Sequence, residues 1–428
     1  MFARSAPRAA LRVGRLAQYE VRPQIRPWEK LPAGARGPVQ RQCGRQLHSS
    51  FKEQFRDEFR KSPILFPFAL GGVLLVASIA VFYVPYYYRN VIIKPYHKFP
   101  EPVAKKLRKA IFYSSGAHMD LREANKYFRQ ALQTAQEIGM DPFTDEILGV
   151  KLAIATIYEN AGHHQVAAEV MEVMRADCKR WMAEYSDKHW NDGMRSRVLK
   201  RIVELNVKLG QLYDVKYMNE PDEGEKVLTE AVEMALKEKA RRENEGIKEG
   251  EGDWMTDEEL GGTLEALGQH YEQFDAHYLA TPLFLQALAL CPPKSCHRVV
   301  LMNNISTCLA QQTPPPLSAT LPQSATDSFP NTPPPSRATL IEQAKAWANR
   351  AIAKAATISP PDRNEECDIG CATATHNLGE FFEMEGKLKE ARQQYDEAAS
   401  LAKALSFSEG YANAKAGLHR LKELERRK

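Results

Sequence analysis

One pattern constrains this chain more than any other: Leu-Gly, an aromatic residue three positions after the Gly, then Ala-x3-aromatic-x2-Ala. Its cleanest copy is Leu378, Gly379, Phe382, Gly386, Ala391, Tyr395 and Ala398, and a second runs through Leu267, Gly268, Tyr271, Ala280, Phe284 and Ala287 to Pro292. The small residues fall where the two helices of one hairpin approach closely, so bulkier side chains are excluded. The aromatic and aliphatic positions recur at i, i+3, i+4 and i+7 and share one buried stripe. A single hairpin cannot bury that stripe by itself, so several must stack into a solenoid.

Weaker copies fill the rest of the chain. One holds Ile154, Ala155, Tyr158, Gly162, Ala167, Met171 and Met174, with Met as conservative filling of an aromatic slot. Another holds Leu209, Gly210 and Tyr213, then Gly224, Leu228 and Ala231 after a short insertion near Glu220-Pro221. Ala124, Phe128 and Ala131 form the second helix of a first repeat whose opening helix, around Leu107 to Tyr113, is degenerate. Ser306 and Leu309, then Ala344, Ala348 and Ala351, give a repeat split by an insertion. At intervals of roughly 34 to 60 residues, the pattern resembles the tetratricopeptide (TPR) repeat of two helices per unit. The expected fold is therefore all-α: a TPR solenoid of about six hairpins over residues 103–428, behind a single N-terminal transmembrane helix. An ordinary all-helical domain is the competing reading, and two near-complete copies with four partial ones disfavour it.

The N-terminus carries a second signal. Residues 1–50 hold Arg4, Arg8, Arg12, Arg15, Arg22, Arg26, Arg36, Arg41 and Arg45 against only Glu20 and Glu29. Arg-rich, acid-poor sequence of this kind reads as a mitochondrial presequence, and Arg45-Gln46-Leu47-His48-Ser49-Ser50 resembles the end of one. A basic nucleic-acid arm is the rival. No basic stripe continues into the repeats and the net charge is only +4, so no nucleic-acid partner is expected. After a matrix-side segment, 51–63, residues 64–84 run about 21 residues without a charge and span about 30 Å as a helix, one hydrocarbon core. Tyr83, Tyr86, Tyr87 and Tyr88 suit an interfacial belt leading into a juxtamembrane segment, 85–102. Lys52, Arg56, Arg60 and Lys61 precede the span and only Arg89 and Lys94 closely follow it, so the positive-inside rule places the N-terminus in the matrix and the repeats in the intermembrane space.

Catalytic chemistry has no motif here: no G-x4-G-K-[ST], H-E-x2-H, G-x-S-x-G or dinucleotide fingerprint occurs. No cofactor, metal or catalytic residue is expected, and the chain is read as a non-enzyme. His163-His164 reads as a solvated turn. Cys43, Cys178, Cys291, Cys296, Cys308, Cys367 and Cys371 form no C-x2-C pair. They read as buried or isolated thiols, although Cys291 with Cys296, or Cys367 with Cys371, could pair in an oxidising space. Residues 237–262, dense in both charges and Gly, are expected to extend one helix and then form a solvated linker. Residues 313–336, with Pro314-Pro315-Pro316 and Pro333-Pro334-Pro335, are expected to be a disordered or polyproline loop inside the fifth repeat. Residues 407–428 read as a polar-backed capping helix.

In stacked hairpins of this type the first helix of each pair lines the concave face, so residues flanking the small slot become candidate peptide contacts. They are Glu159, Gln211, Asp214, Glu265, Gln269, Glu272, Asn303, Asn304, His376, Asn377, Glu380 and Glu383, with Asn160 beside the first. Most are acidic or amide. TPR receptors for chaperone tails place Lys and Arg there to clamp a carboxylate, and that set is missing. An acidic, amide-lined groove suits extended basic or unfolded segments; a generic solvated face is the alternative.

With these parts placed, the chain resembles a known family, the fungal TPR-containing adaptor subunit of the mitochondrial inner-membrane i-AAA protease supercomplex. The resemblance covers presequence, span and repeats. Its most specific piece is the run from Tyr86 to Pro100, Tyr-Tyr-Tyr-Arg-Asn-Val-Ile-Ile-Lys-Pro-Tyr-His-Lys-Phe-Pro, followed by Val103-Ala104-Lys105-Lys106-Leu107-Arg108-Lys109-Ala110. It implies a non-catalytic adaptor that binds unfolded inner-membrane or intermembrane-space proteins and passes them to the i-AAA protease, alongside that protease's other adaptor subunit. The alternative from a different class is a TPR assembly factor or scaffold for a respiratory-chain complex. An outer-membrane import receptor is disfavoured by the presequence and the missing cationic clamp.

Overall fold

Glycine and alanine decide how closely the helices of each hairpin pack. A Cβ on Gly210 would lie 2.3 Å from Leu228 Cγ, one on Gly268 would lie 2.9 Å from the Phe284 ring, and one on Gly379 would lie 2.8 Å from the Tyr395 ring. Each of these partners is fully buried, so a bulkier residue at the Gly would prise the two helices apart. A computed structural model describes residues 51–93, 96, 98–114, 119–313 and 335–426. The expected presequence, 1–50, and most of the expected Pro-rich loop lie outside the described residues.

Two units are distinguished, divided at Pro100. The N-terminal unit holds α1 (Phe51–Lys61) and a long apolar helix, α2 (Leu65–Asn90), of 26 residues with mean hydropathy 2.4 and nothing buried. It is long and apolar enough to cross a membrane, at about 39 Å for 26 residues. It outruns the expected end at residue 84, because the backbone passes through Pro85 with a π-helical turn, Ile79–Tyr83, just before it. Such a turn reassigns the hydrogen bonds around a position where proline offers no N–H.

Among the described residues, the second unit from Glu101 onward forms six antiparallel hairpins in sequence order. They are α3 (Glu101–Ser114) with α4 (Leu121–Glu137), α5 (Asp145–Asn160) with α6 (His164–Tyr185), α7 (Met194–Tyr213) with α8 (Pro221–Glu245), α9 (Asp257–Gln273) with α10 (His277–Leu290), α11 (His297–Gln311) with α12 (Arg337–Thr357), and α13 (Glu365–Met384) with α14 (Leu388–Ala404). A last helix, α15 (Ser408–Arg426), closes the stack against α13 and α14. Among the described residues there is no strand.

The Ala-x3-aromatic-x2-Ala slots form the buried stripe of every second helix. Ala124, Phe128 and Ala131, then Ala167, Met171 and Met174, then Ala280, Phe284 and Ala287, then Ala391, Tyr395 and Ala398 are all buried. In the split repeat, Ala344, Ala348 and Ala351 take the same place, so α11 and α12 pair although the insertion separates them in sequence. Gly162 and Gly386 turn their hairpins with φ of 81° and 75°, which glycine adopts without a steric penalty. Thr256 opens α9 with a capping box to Glu259, and Asp120 and Asn364 cap α4 and α13.

The expected helix extension and solvated linker at 237–262 differ in extent: the mostly exposed loop covers only 246–256. Helix α8 runs on to Glu245, residues 257–262 already belong to α9, and the loop between them is anchored by buried charge. Glu238 and Glu251, 3% and 1% exposed, face Arg195, Arg241 and Arg242. Burial opposes the charge of Glu238, yet the guanidinium groups of Arg241, Arg195 and Arg242 together lower its pKa to about 2. Arg195 and Lys248 also flank the Trp190 ring at 3.9 and 3.7 Å. The charges that read as solvating in the sequence thus satisfy one another inside the fold.

Candidate functional site

From the second hairpin to the sixth, polar side chains on the first helices meet across four successive junctions. Lys208 of α7 reaches Glu159 of α5 at 3.2 Å. His270 of α9 donates from Nδ1 to Asp214, the C-cap of α7, at 2.8 Å, and Gln273 donates to the Asp214 carbonyl at 2.7 Å. His297 of α11 joins three first helices, with Nε2 at 2.6 Å from Glu265 of α9 and Nδ1 at 2.7 Å from Glu366 of α13. Asn303 donates to the Gly370 carbonyl at 2.8 Å, and Asn377 to Thr307 at 3.4 Å. Arg420 of α15 closes the ladder on Glu383 at 3.1 Å and Glu380 at 3.6 Å.

Most of the expected contact residues therefore serve neighbouring repeats. Glu159, Asp214, Glu265, Asn303, Asn377, Glu380 and Glu383 each bond across a junction. Gln269 donates to Glu265 on its own helix at 3.1 Å, and the His376 ring sits 5.2 Å from the Tyr395 ring. Gln211, exposed, and Asn304, partly exposed, remain open to a ligand. Glu272 also remains, with no ion-pair partner for its carboxylate among the described residues. Burial, then the nearby charge of Glu265, pushes its pKa up to about 7.

His297 went unrecognised in the sequence because its partners lie 32 residues before it and 69 after it. Hydrogen bonds to Glu265 and Glu366 push its pKa up to about 10 against the opposing effect of burial, so it stays an imidazolium at neutral pH. Beside it a disulfide links Cys296 to Cys367, at the N-terminal ends of α11 and α13. This differs from both local pairings considered above, and Cys291 and Cys371 are free thiols. Covalent and ionic links at adjacent residues thus fix the fifth and sixth first helices to each other. Among the described residues no cluster of three or more His, Cys, Asp or Glu could hold a metal ion.

No protein-family model matches the chain. A TPR repeat-containing protein of Schizosaccharomyces pombe is 25% identical over 365 residues, covering 83% of this chain and 86% of the relative. The fold is a TPR solenoid. Among solved structures, BtubC (BKLC) from P. vanneervenii covers 68% of this chain and 93% of its own at 13% identity and TM-score 0.44. A protein from Podosopora anserina described as a kinesin light chain with nearly identical TPR-like repeats covers 62% of this chain and 98% of its own, at 12% identity and TM-score 0.40. Among the described residues the repeats build a stack whose first helices are joined by bonded polar groups, with Gln211, Asn304 and the Glu272 carboxylate outside those bonds.

Proposed function

We propose that this chain is a non-catalytic, membrane-anchored adaptor that holds unfolded polypeptide on its first-helix face for the mitochondrial i-AAA protease. The observation that carries this reading is the bonded polar ladder, which leaves Gln211, Glu272 and Asn304 as the free acceptors and donors of a pre-organised surface. Amides and an acidic group can satisfy the backbone and basic side chains of an extended chain without demanding one sequence. Pre-organisation reduces the entropy lost on binding.

Three further features support the compartment. Residues 1–50 have the composition of a mitochondrial presequence, and α2 has the length and hydropathy of a single span. The Cys296–Cys367 disulfide suits an oxidising space, where such bonds persist. With the span in the inner membrane and the repeats in the intermembrane space, tethering raises the local concentration of captured clients near a membrane-embedded protease, so modest affinity suffices.

The test is affinity purification from detergent-solubilised mitochondria together with substrate turnover in a deletion strain. Co-purification of a hexameric AAA protease and slower client decay are expected. An unaltered protease complex with unaltered decay would overturn the reading, and loss of an assembled respiratory complex with normal proteolysis would favour an assembly factor instead. Protease protection in mitoplasts tests the topology, which fails if the repeats stay protected once the outer membrane is ruptured.

A further inference from the structure

We propose that α3, the first helix of the solenoid, is a lipid-binding face that rests on an anionic membrane surface. Its inner stripe, Val103, Ala104, Leu107 and Ala110, is buried to 2% exposure or less. At 100° per residue, the opposite side carries Pro102, Lys105, Lys109 and Phe112, all exposed, while Ile111, exposed near the end of the helix, falls on the side of the buried stripe. Phe112 is 54% and Ile111 41% exposed. A solenoid needs a polar outer surface on its terminal repeat. On this end the outer side of α3 shows an exposed aromatic ring framed by lysines.

The charge on the helix has one sign once its internal pairs are removed. Arg108 is paired with Glu101, and Lys106 donates to the Gln130 carbonyl and to Thr134. Lys109 lies 5.3 Å from the centre of the Tyr127 ring, which leaves its charge unneutralised. On the adjoining helix, Glu123 is taken by Lys126. Lys105 and Lys109 thus present positive charge beside an exposed ring, the combination by which interfacial helices bind anionic bilayers.

Chain length brings the lipid within reach. Residues 94–100 separate the helical run that ends at Ile93 from α3, and seven extended residues span at most roughly 25 Å. This inference rests on the reading of α2 as a membrane span. It gives a physical role to the Lys105-Lys106-Leu107-Arg108-Lys109 run, which the adaptor function leaves unexplained.

The experiment uses the full chain in nanodiscs of phosphatidylcholine alone or with phosphatidylglycerol added. Lysine acetylation read by mass spectrometry reports exposure, with Lys226, whose side chain is 69% exposed in the third hairpin, as the reference. Labelling of Lys105 and Lys109 should fall roughly fivefold per lysine in the anionic discs, and raised salt should restore it. Hydrogen exchange over 101–114 should show matching protection, lost in the Lys105→Glu/Lys109→Glu double variant and weakened in Phe112→Ser. Equal labelling in both discs, or equal protection in both, overturns the proposal. A chain that does not remain in the discs defeats the span reading as well; one that remains with α3 unprotected defeats this inference alone.

Discussion

Tyr395 offers the sharpest test of how the repeats pack, because its ring is wedged between two helices that both lack a side chain at the contact. A Cβ on Gly379 of α13 would lie 2.8 Å from the ring, and one on Gly417 of α15 would lie 2.7 Å from it. Carbon atoms prefer roughly 3.5–4.0 Å. The ring cannot retreat from one added methyl without driving into the other, and its hydroxyl is held by Glu383 at 2.6 Å. Overpacking of this kind costs about 1–3 kcal/mol, while Ala gains about 1 kcal/mol over Gly inside a helix. Gly379→Ala should therefore lose up to about 2 kcal/mol, and Gly379→Ala/Gly417→Ala should lose at least about 0.5 kcal/mol more than the two singles summed. Gly149 of α5 is the control, since a Cβ there meets nothing within 4 Å, and Gly149→Ala should gain about 0.5–1 kcal/mol. Urea titration of the detergent-solubilised chain, with hydrogen exchange over α13–α15 as the local readout, measures all four. If Gly379→Ala stabilises as much as Gly149→Ala, the helices do not approach as described and the packing argument fails.

The Cys296–Cys367 bond closes a loop of 71 residues, for which chain entropy gives about 4 kcal/mol; reduction, or Cys296→Ala/Cys367→Ala, should lower the urea midpoint accordingly, and an unchanged midpoint would contradict the cross-link. His297 binds its proton more tightly folded than unfolded, so its contribution is full below pH 6.5 and lost as pH rises through about 10. Its side chain is 38% exposed, and screening trims the effect to about 1 kcal/mol, which a stability profile should show for the wild type and not for His297→Gln. Glu272 also has a raised pKa, so its protonated form suits the fold and its ionisation weakens it as pH climbs through about 7. Glu272→Gln should accordingly stabilise the chain by about 3 kcal/mol at pH 8 and by less than about 1 kcal/mol at pH 5, measured by the same titrations.

The hairpins were legible because each Gly or Ala slot is tied to an aromatic or aliphatic partner at short range within its own pair. The repeat split by the insertion was legible for the same reason, since Ala344, Ala348 and Ala351 keep the spacing on their own helix. The ladder was not legible. Lys208, His270, His297 and Arg420 are bound to partners one repeat away, at separations that vary from 32 to 69 residues with the insertions between them. The composition of the first-helix face could be read from the sequence, but not which of its groups were already bonded. Cysteine spacing was no guide either: the cysteines read as buried or isolated thiols, and the pairing of Cys296 with Cys367 joins residues across a whole hairpin. The 237–262 segment read as solvated because its charges are dense; that density in fact supplies the partners which bury Glu238 and Glu251.

Photo-cross-linking from the solenoid to a permanently unfolded polypeptide tests the adaptor reading most directly. With a benzophenone amino acid placed singly at Gln211, Asn304 or Val173 of the full chain in nanodiscs, adducts are expected from the first two positions. Val173, 63% exposed on a second helix, should give none. Equal adducts from all three, or none from any, would contradict a client-binding face formed by the first helices.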